Sequence, residues 1–109
     1  MSEKNAIVVF VTTSSQEEAR EIADLLLNSH KAACVNIVPT IDSKFWWEGE
    51  LDSARESLLI LKTKSSVLPE VIHLIKQAHT YTVPEIIALP IIGGNVDYLK
   101  WVNEEVRER

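Results

Sequence analysis

Cysteine occurs once in this chain, at Cys34, so neither an internal disulfide nor a cysteine-built zinc cage can form within one copy. A reducing compartment is the expectation that follows. Glycine and proline are nearly as scarce, at three and four residues, too few for a linker or a low-complexity segment, and a single domain spanning residues 1–109 is expected. Basic residues are outnumbered, 11 against 16 acidic ones. That balance argues against nucleic acid as a partner, because binding to a phosphate backbone is driven by Lys and Arg displacing counterions. Long apolar runs are missing as well. The stretch from Ala6 to Val11 is too short for a signal-peptide core or a membrane span, and acidic Glu3 stands where a basic leader segment would be. These readings predict a cytoplasmic protein with no membrane insertion. The patterns G-x-G-x-x-G, Walker A, H-E-x-x-H and G-x-S-x-G are all absent, so no enzyme is signalled, no catalytic residue is assigned and no cofactor is required.

What is present is a regular alternation of strand-like and helix-like segments. Asn5 to Thr13 is β-branched and aromatic and reads as a buried strand. Ser15-Gln16-Glu17-Glu18 has the spacing of a capping box, and Ala19, Ile22, Ala23 and Leu26 then recur at the intervals of one helix face, ending near Asn28 to His30. A second strand runs from about Ala32 through Val38, with a bend or bulge expected at Pro39, which cannot donate to a ladder. Ile41 to Trp47 and Glu56 to Thr63 flank a turn at Glu48-Gly49-Glu50 and form a long hairpin. Ser65 or Ser66 is placed to cap a second helix with Pro69 in its first turn and Leu68, Val71, Ile72 and Ile75 as its stripe. Glu85 to Ile91 reads as a last strand, Gly93-Gly94-Asn95 as a turn, and Asp97 to Arg107 as a closing amphipathic helix.

The order is β-α-β-β-α-β with an extra C-terminal helix, which predicts an α+β, ferredoxin-like sandwich. Both helices of that plan cover one face of the sheet, yet the strands are apolar on both faces: Ile7 and Val9 with Val8 and Phe10, Leu59 and Leu61 with Leu58 and Ile60, Ile86 with Ile87. The second face needs a cover, and an oligomer whose sheets pack on each other is the expectation.

Candidate functional residues are few. Cys34, between Ala33 and Val35, fits a small apolar core position. Trp46 and Trp47 are consecutive on a strand and point to opposite faces, so at most one can face the core and the other meets a partner subunit or lines a cleft. His79 extends the second helix stripe and is either a packed residue or a metal contact, while His73 stands at the wrong spacing to join it. Lys62, Tyr81 and Glu85 fall at strand ends, where they form either a polar pocket for a small ligand or an ion-pair network between subunits.

Several separated blocks then resemble one family. Ala33-Cys34-Val35-Asn36-Ile37, Phe45, Trp47-Glu48-Gly49, Glu56 with Leu58 to Thr63, Val83 to Ile91, and Asn95 with Tyr98, Leu99 and Trp101 are similar to the CutA divalent-cation-tolerance proteins. The resemblance implies a homotrimer built by sheet packing, similar to PII-type signalling trimers, with clefts between subunits. It also implies a role in tolerance to copper and other divalent cations. Some bacterial members assign copper to a cysteine late in the first strand and to two adjacent histidines before a Pro-Tyr pair. Here those positions are Val11, Ala78 and His79, with Thr80 in place of the proline, so the resemblance implies weak Cu(II) binding at His79. The alternative it supports is a PII-like sensor of a small molecule in an intersubunit cleft lined by Trp47, Lys62, Tyr81 and Glu85. An oligomeric scaffold is the third reading, since animal relatives are associated with acetylcholinesterase anchoring.

Overall fold

The computed structural model describes residues 5–109, so Glu3 and the argument drawn from it lie outside the described residues. Strand β1, Ala6–Thr13, carries Ile7, Val9 and Val11 on the side where the helices lie, and all three are buried. Helix α1, Gln16–Asn28, begins where the Ser15 hydroxyl accepts from the Glu18 N–H at 3.1 Å. Only half of the expected capping box forms. The Glu18 carboxylate reaches back to the N–H of Ser14 at 2.8 Å rather than to that of Ser15. The predicted stripe is the buried one: Ala19, Ile22, Ala23 and Leu26 all lie in the core. Ile22 and Leu26 are fully buried, and each such side chain contributes about 1.5–3 kcal/mol by leaving water.

Strands β2, Cys34–Trp47, and β3, Glu50–Lys64, make the long hairpin. The ladder shifts register between Val38 and Ile41, where Pro39 removes a donor, as the sequence predicts. The hairpin closes through Glu48 and Gly49, at φ 51° and 84°, the paired positive angles that match the right-handed twist of two strands. The sequence reading starts β3 at Glu56, six residues late. The true strand begins at Glu50 because the outer hairpin projects beyond the helices. With no core face to bury, its Leu-Asp-Ser-Ala-Arg stretch carries no apolar alternation.

A 3₁₀ turn at Ser65–Val67 leads into α2, Leu68–Ala78. Neither serine caps this helix; its N-cap is Val67, which has no side-chain cap bond, and the Ser66 hydroxyl instead donates to Glu108 Oε2 at 2.6 Å. Pro69 sits in the first turn, where its missing N–H costs nothing. Strand β4 is Ile86–Pro90, which leaves Glu85 just before it, and α3 is Val96–Glu105, capped by the Asn95 side chain on the Asp97 N–H at 3.0 Å.

The sheet order is β2-β3-β1-β4, with every pairing antiparallel, the ferredoxin-like α+β plan. Cross-strand pairs sort its two faces. Val9 opposes Leu61 and Ala88, and Val11 opposes Leu59 and Ile86, all in or against the core beneath α1 and α2. On the other face Phe10 opposes Ile60 and Ile87, and Val8 opposes Leu89. Ile87 and Leu89 are 51% and 50% exposed, so this apolar face stands open in the single chain.

Candidate functional site

The joint between α2 and β4 is built around His79. Helix α2 stops at Ala78, and His79, at φ −84° and ψ 143°, turns its ring inward until the side chain has no exposure. Its Nε2 lies 2.7 Å from the Thr12 carbonyl oxygen, which only accepts, so Nε2 carries the proton and donates. Nδ1 then accepts from the Tyr81 N–H at 3.0 Å. Glu18 Oε2 stands 3.7 Å from that same Nδ1 and accepts from the Thr80 N–H at 2.7 Å. Burial alone would raise the Glu18 pKa, but bonds from the Ser14 and Thr80 backbone and from both their hydroxyls outweigh it and hold the carboxyl below its ordinary value. The sequence offers His79 as a metal contact; in this geometry both ring nitrogens are occupied within the chain. His30 is engaged as well, its Nδ1 2.9 Å from the Glu105 carbonyl oxygen. Among the described residues no three His, Cys, Asp or Glu side chains converge on a point that could hold a metal ion.

The same joint forms one wall of a cleft. The Tyr81 ring leans on that of His79, with centroids 4.8 Å apart, and its hydroxyl donates to Glu56 Oε2 at 2.8 Å. Glu56 belongs to the first pair beyond the bulge, opposite Ile41, and is 8% exposed. Burial of the phenol, together with the hydrogen bond and charge of Glu56, pushes the Tyr81 pKa up to about 12. Between this wall and the projecting hairpin lies a cleft of about 850 Å³. Phe45 and Trp47 enter it from β2, Asp52 and Glu56 from β3, and Tyr81 and Glu85 from the segment before β4.

Three of the four residues read as ligand-binding, Trp47, Tyr81 and Glu85, therefore share one cavity. Lys62 does not join them. It lies on the open sheet face opposite Val8 and Cys34, its ammonium donating to the Asn36 side chain. Lys62 and Glu85 make no salt bridge with each other within the chain among the described residues, and the ion-pair network expected of them is one between subunits. Neither tryptophan of the pair meets the core: Trp47 is 46% exposed in the cleft, and Trp46 is 70% exposed beside Leu51 on the hairpin's other side. Cys34 is only half-buried, beside the Tyr98 hydroxyl, whose pKa rises through burial and through that thiol. Phe45, Asp52 and above all Glu56 were missed. Strand alternation does put Phe45 on the face of Trp47, but the approach of Glu56 to Tyr81, 25 residues away, leaves no local signal.

The family model of the CutA1 divalent ion tolerance protein matches residues 7–105. The rice protein CutA 1, chloroplastic, is 47% identical over 103 residues, 94% of this chain and 58% of that protein. The chain thus spans little more than half the length of this relative. The divalent-cation tolerance protein CutA of Thermus thermophilus is 47% identical over 97 residues, 89% of this chain and 94% of that protein. Among solved structures, rice CutA1 superposes with a TM-score of 0.95 at 44% identity and covers all of both chains. The Archaeoglobus fulgidus structure, described as a periplasmic divalent cation tolerance protein, gives 0.90 at 43% identity over 94% of this chain and 99% of that one.

Those descriptions overturn the cytoplasmic expectation, since a chloroplastic and a periplasmic relative share this fold. Compartment is set by address segments that receptors read, and a folded domain's cysteine count and charge do not encode it. Among the described residues no helix is long and apolar enough to cross a membrane. With nearly the whole described chain matched by one family model and close relatives identical at almost half their positions, the chain belongs to the CutA1 divalent ion tolerance family.

Proposed function

We propose that this chain serves divalent-cation tolerance as the subunit of a homotrimer that responds to a cation held in the cleft between hairpin and joint, with copper bound weakly and no catalysis. The observation that supports it best is the cleft lining. Carboxylates from Asp42, Asp52, Glu56 and Glu85 outnumber the single Lys44 ammonium, so the field inside favours positive charge. The engagement of both His79 nitrogens argues that copper meets carboxylates there rather than imidazole, which for Cu(II) means modest affinity. The open apolar sheet face supports the trimer, because a patch of this kind is normally covered.

The cleft also favours a PII-like sensor as second reading. Its volume of about 850 Å³ lies in the range of small-molecule pockets and is far larger than a bare ion fills. Calorimetric titration of Cu(II) and Zn(II) into the wild type, His79→Ala and Asp52→Asn/Glu85→Gln separates these sites. Weak copper binding lost only in the carboxylate variant supports the proposal. Binding lost only in His79→Ala moves the metal to the joint, and no binding at all removes the metal arm and leaves the sensor.

A further inference from the structure

We infer that the cleft is built for an organic amine, an alkyl- or arylalkylammonium whose charged nitrogen sits against Glu56 and whose apolar body lies along Phe45 and Trp47. This rests on the reading of the cleft as a ligand site and names the class of occupant. Glu56 carries the argument. It is 8% exposed, faces the cavity, and accepts a single hydrogen bond, on Oε2, from the Tyr81 hydroxyl. Among the described residues no Lys, Arg or His nitrogen lies within salt-bridge distance of it.

A carboxylate so far out of water is ordinarily matched by a cation, and a neutral phenol supplies a hydrogen bond without supplying charge. Tyr81 engages Oε2, and among the described residues no hydrogen bond engages Oε1 of this cavity-lining side chain. Of the other acids in the lining, Asp42 is already paired with Arg55 at 3.5 Å, while Asp52 and Glu85 are exposed and bear no such partner.

A tightly held metal ion is not what this arrangement offers, in keeping with the weak copper binding proposed above. Hard cations take six or more oxygen ligands at short range, and no three candidate ligands converge among the described residues. An ammonium needs far less, namely one carboxylate and aromatic faces. Phe45 and Trp47 stand 36% and 46% exposed on the same wall, open to an apolar chain or ring and able to attract a cation through their π faces.

The test is calorimetric titration of the full chain, in buffer containing a chelator, with phenethylamine and hexylamine, using phenylpropionate and methylammonium as controls. Saturable binding of both amines at one per chain is expected, with methylammonium much weaker and the carboxylate inert. Glu56→Gln keeps an acceptor for Tyr81 and should weaken the amines by about tenfold or more, the loss of one charged hydrogen bond. Trp47→Ala, on an exposed side chain that folding does not need, should weaken phenethylamine more than methylammonium. Absence of amine binding in the wild type, or unchanged affinity in Glu56→Gln, overturns the inference. Dissociation of the oligomer in Glu56→Gln by sedimentation also overturns it, because the ammonium would then come from a lysine of a second copy. Copper binding in the absence of amine binding sinks this inference alone; loss of both removes the functional proposal with it.

Discussion

At the scale of residues, Glu18, His79 and Tyr81 form one polar chain whose protonation states follow from geometry. The Glu18 pKa is lowered below its ordinary 4.5, so the folded state holds this proton less tightly than the unfolded chain does. Its contribution is present above pH 4.5 and is lost as pH falls through the folded value. Urea midpoints measured from pH 6 downward, with samples at about pH 3, should drop less steeply for Glu18→Gln than for the wild type. Tyr81 has the opposite sign. Its pKa rises from 10.0 to about 12, so stability falls across that interval as the unfolded chain ionises first. Tyr98, also raised, adds to the slope, so the contrast between wild type and Tyr81→Phe isolates the Glu56 partner. His79→Ala strips partners from the Thr12 carbonyl and the Tyr81 N–H together, and should cost about 1–3 kcal/mol in chemical denaturation. A variant as stable as wild type would show that water replaces both bonds.

Elements were legible in the sequence wherever a core face wrote a period into them. The α1 stripe and the Pro39 bulge are cases where hydrophobic spacing or a missing N–H carries the signal alone. The outer half of β3 was illegible because the hairpin leaves the helix layer there and nothing demands alternation. The α2 cap was misread because Ser66 is taken by Glu108, a contact 42 residues away. The cleft was legible only in part: the sequence points to Trp47, Tyr81 and Glu85 for a pocket, but its walls come from positions 12, 42–56 and 80–85, and only the folded hairpin brings Glu56 to them. One element can be tested at its tip. A Cβ on Gly49 meets no atom within 4 Å, so Gly49→Ala is opposed by its φ of +84° and by nothing else. Its expected cost is about 1 kcal/mol, with the cleft affinity reduced if the hairpin splays.

For the whole molecule the open sheet face decides the state in which it works. Phe10 and Ile60 oppose each other at its centre, flanked by Leu58 and by Ile87 and Leu89 at about half exposure. Packing such side chains against those of another copy removes apolar surface worth about 1.5–3 kcal/mol for each fully buried residue. A charge at the centre of that contact loses this gain and adds the cost of desolvating a carboxylate. Ile60→Asp points away from the helix layer and leaves Val9, Leu59 and Leu61 undisturbed, so each chain should keep its fold while association fails. Sedimentation velocity at micromolar concentration should show a trimer for the wild type and a monomer for Ile60→Asp, with similar far-ultraviolet circular dichroism. If the wild type sediments as a monomer, the sheet face has some other cover and the trimeric reading fails. If Ile60→Asp remains a trimer, the chains meet through another surface, and the exposed Trp46 and Leu51 of the hairpin become the next place to put a charge.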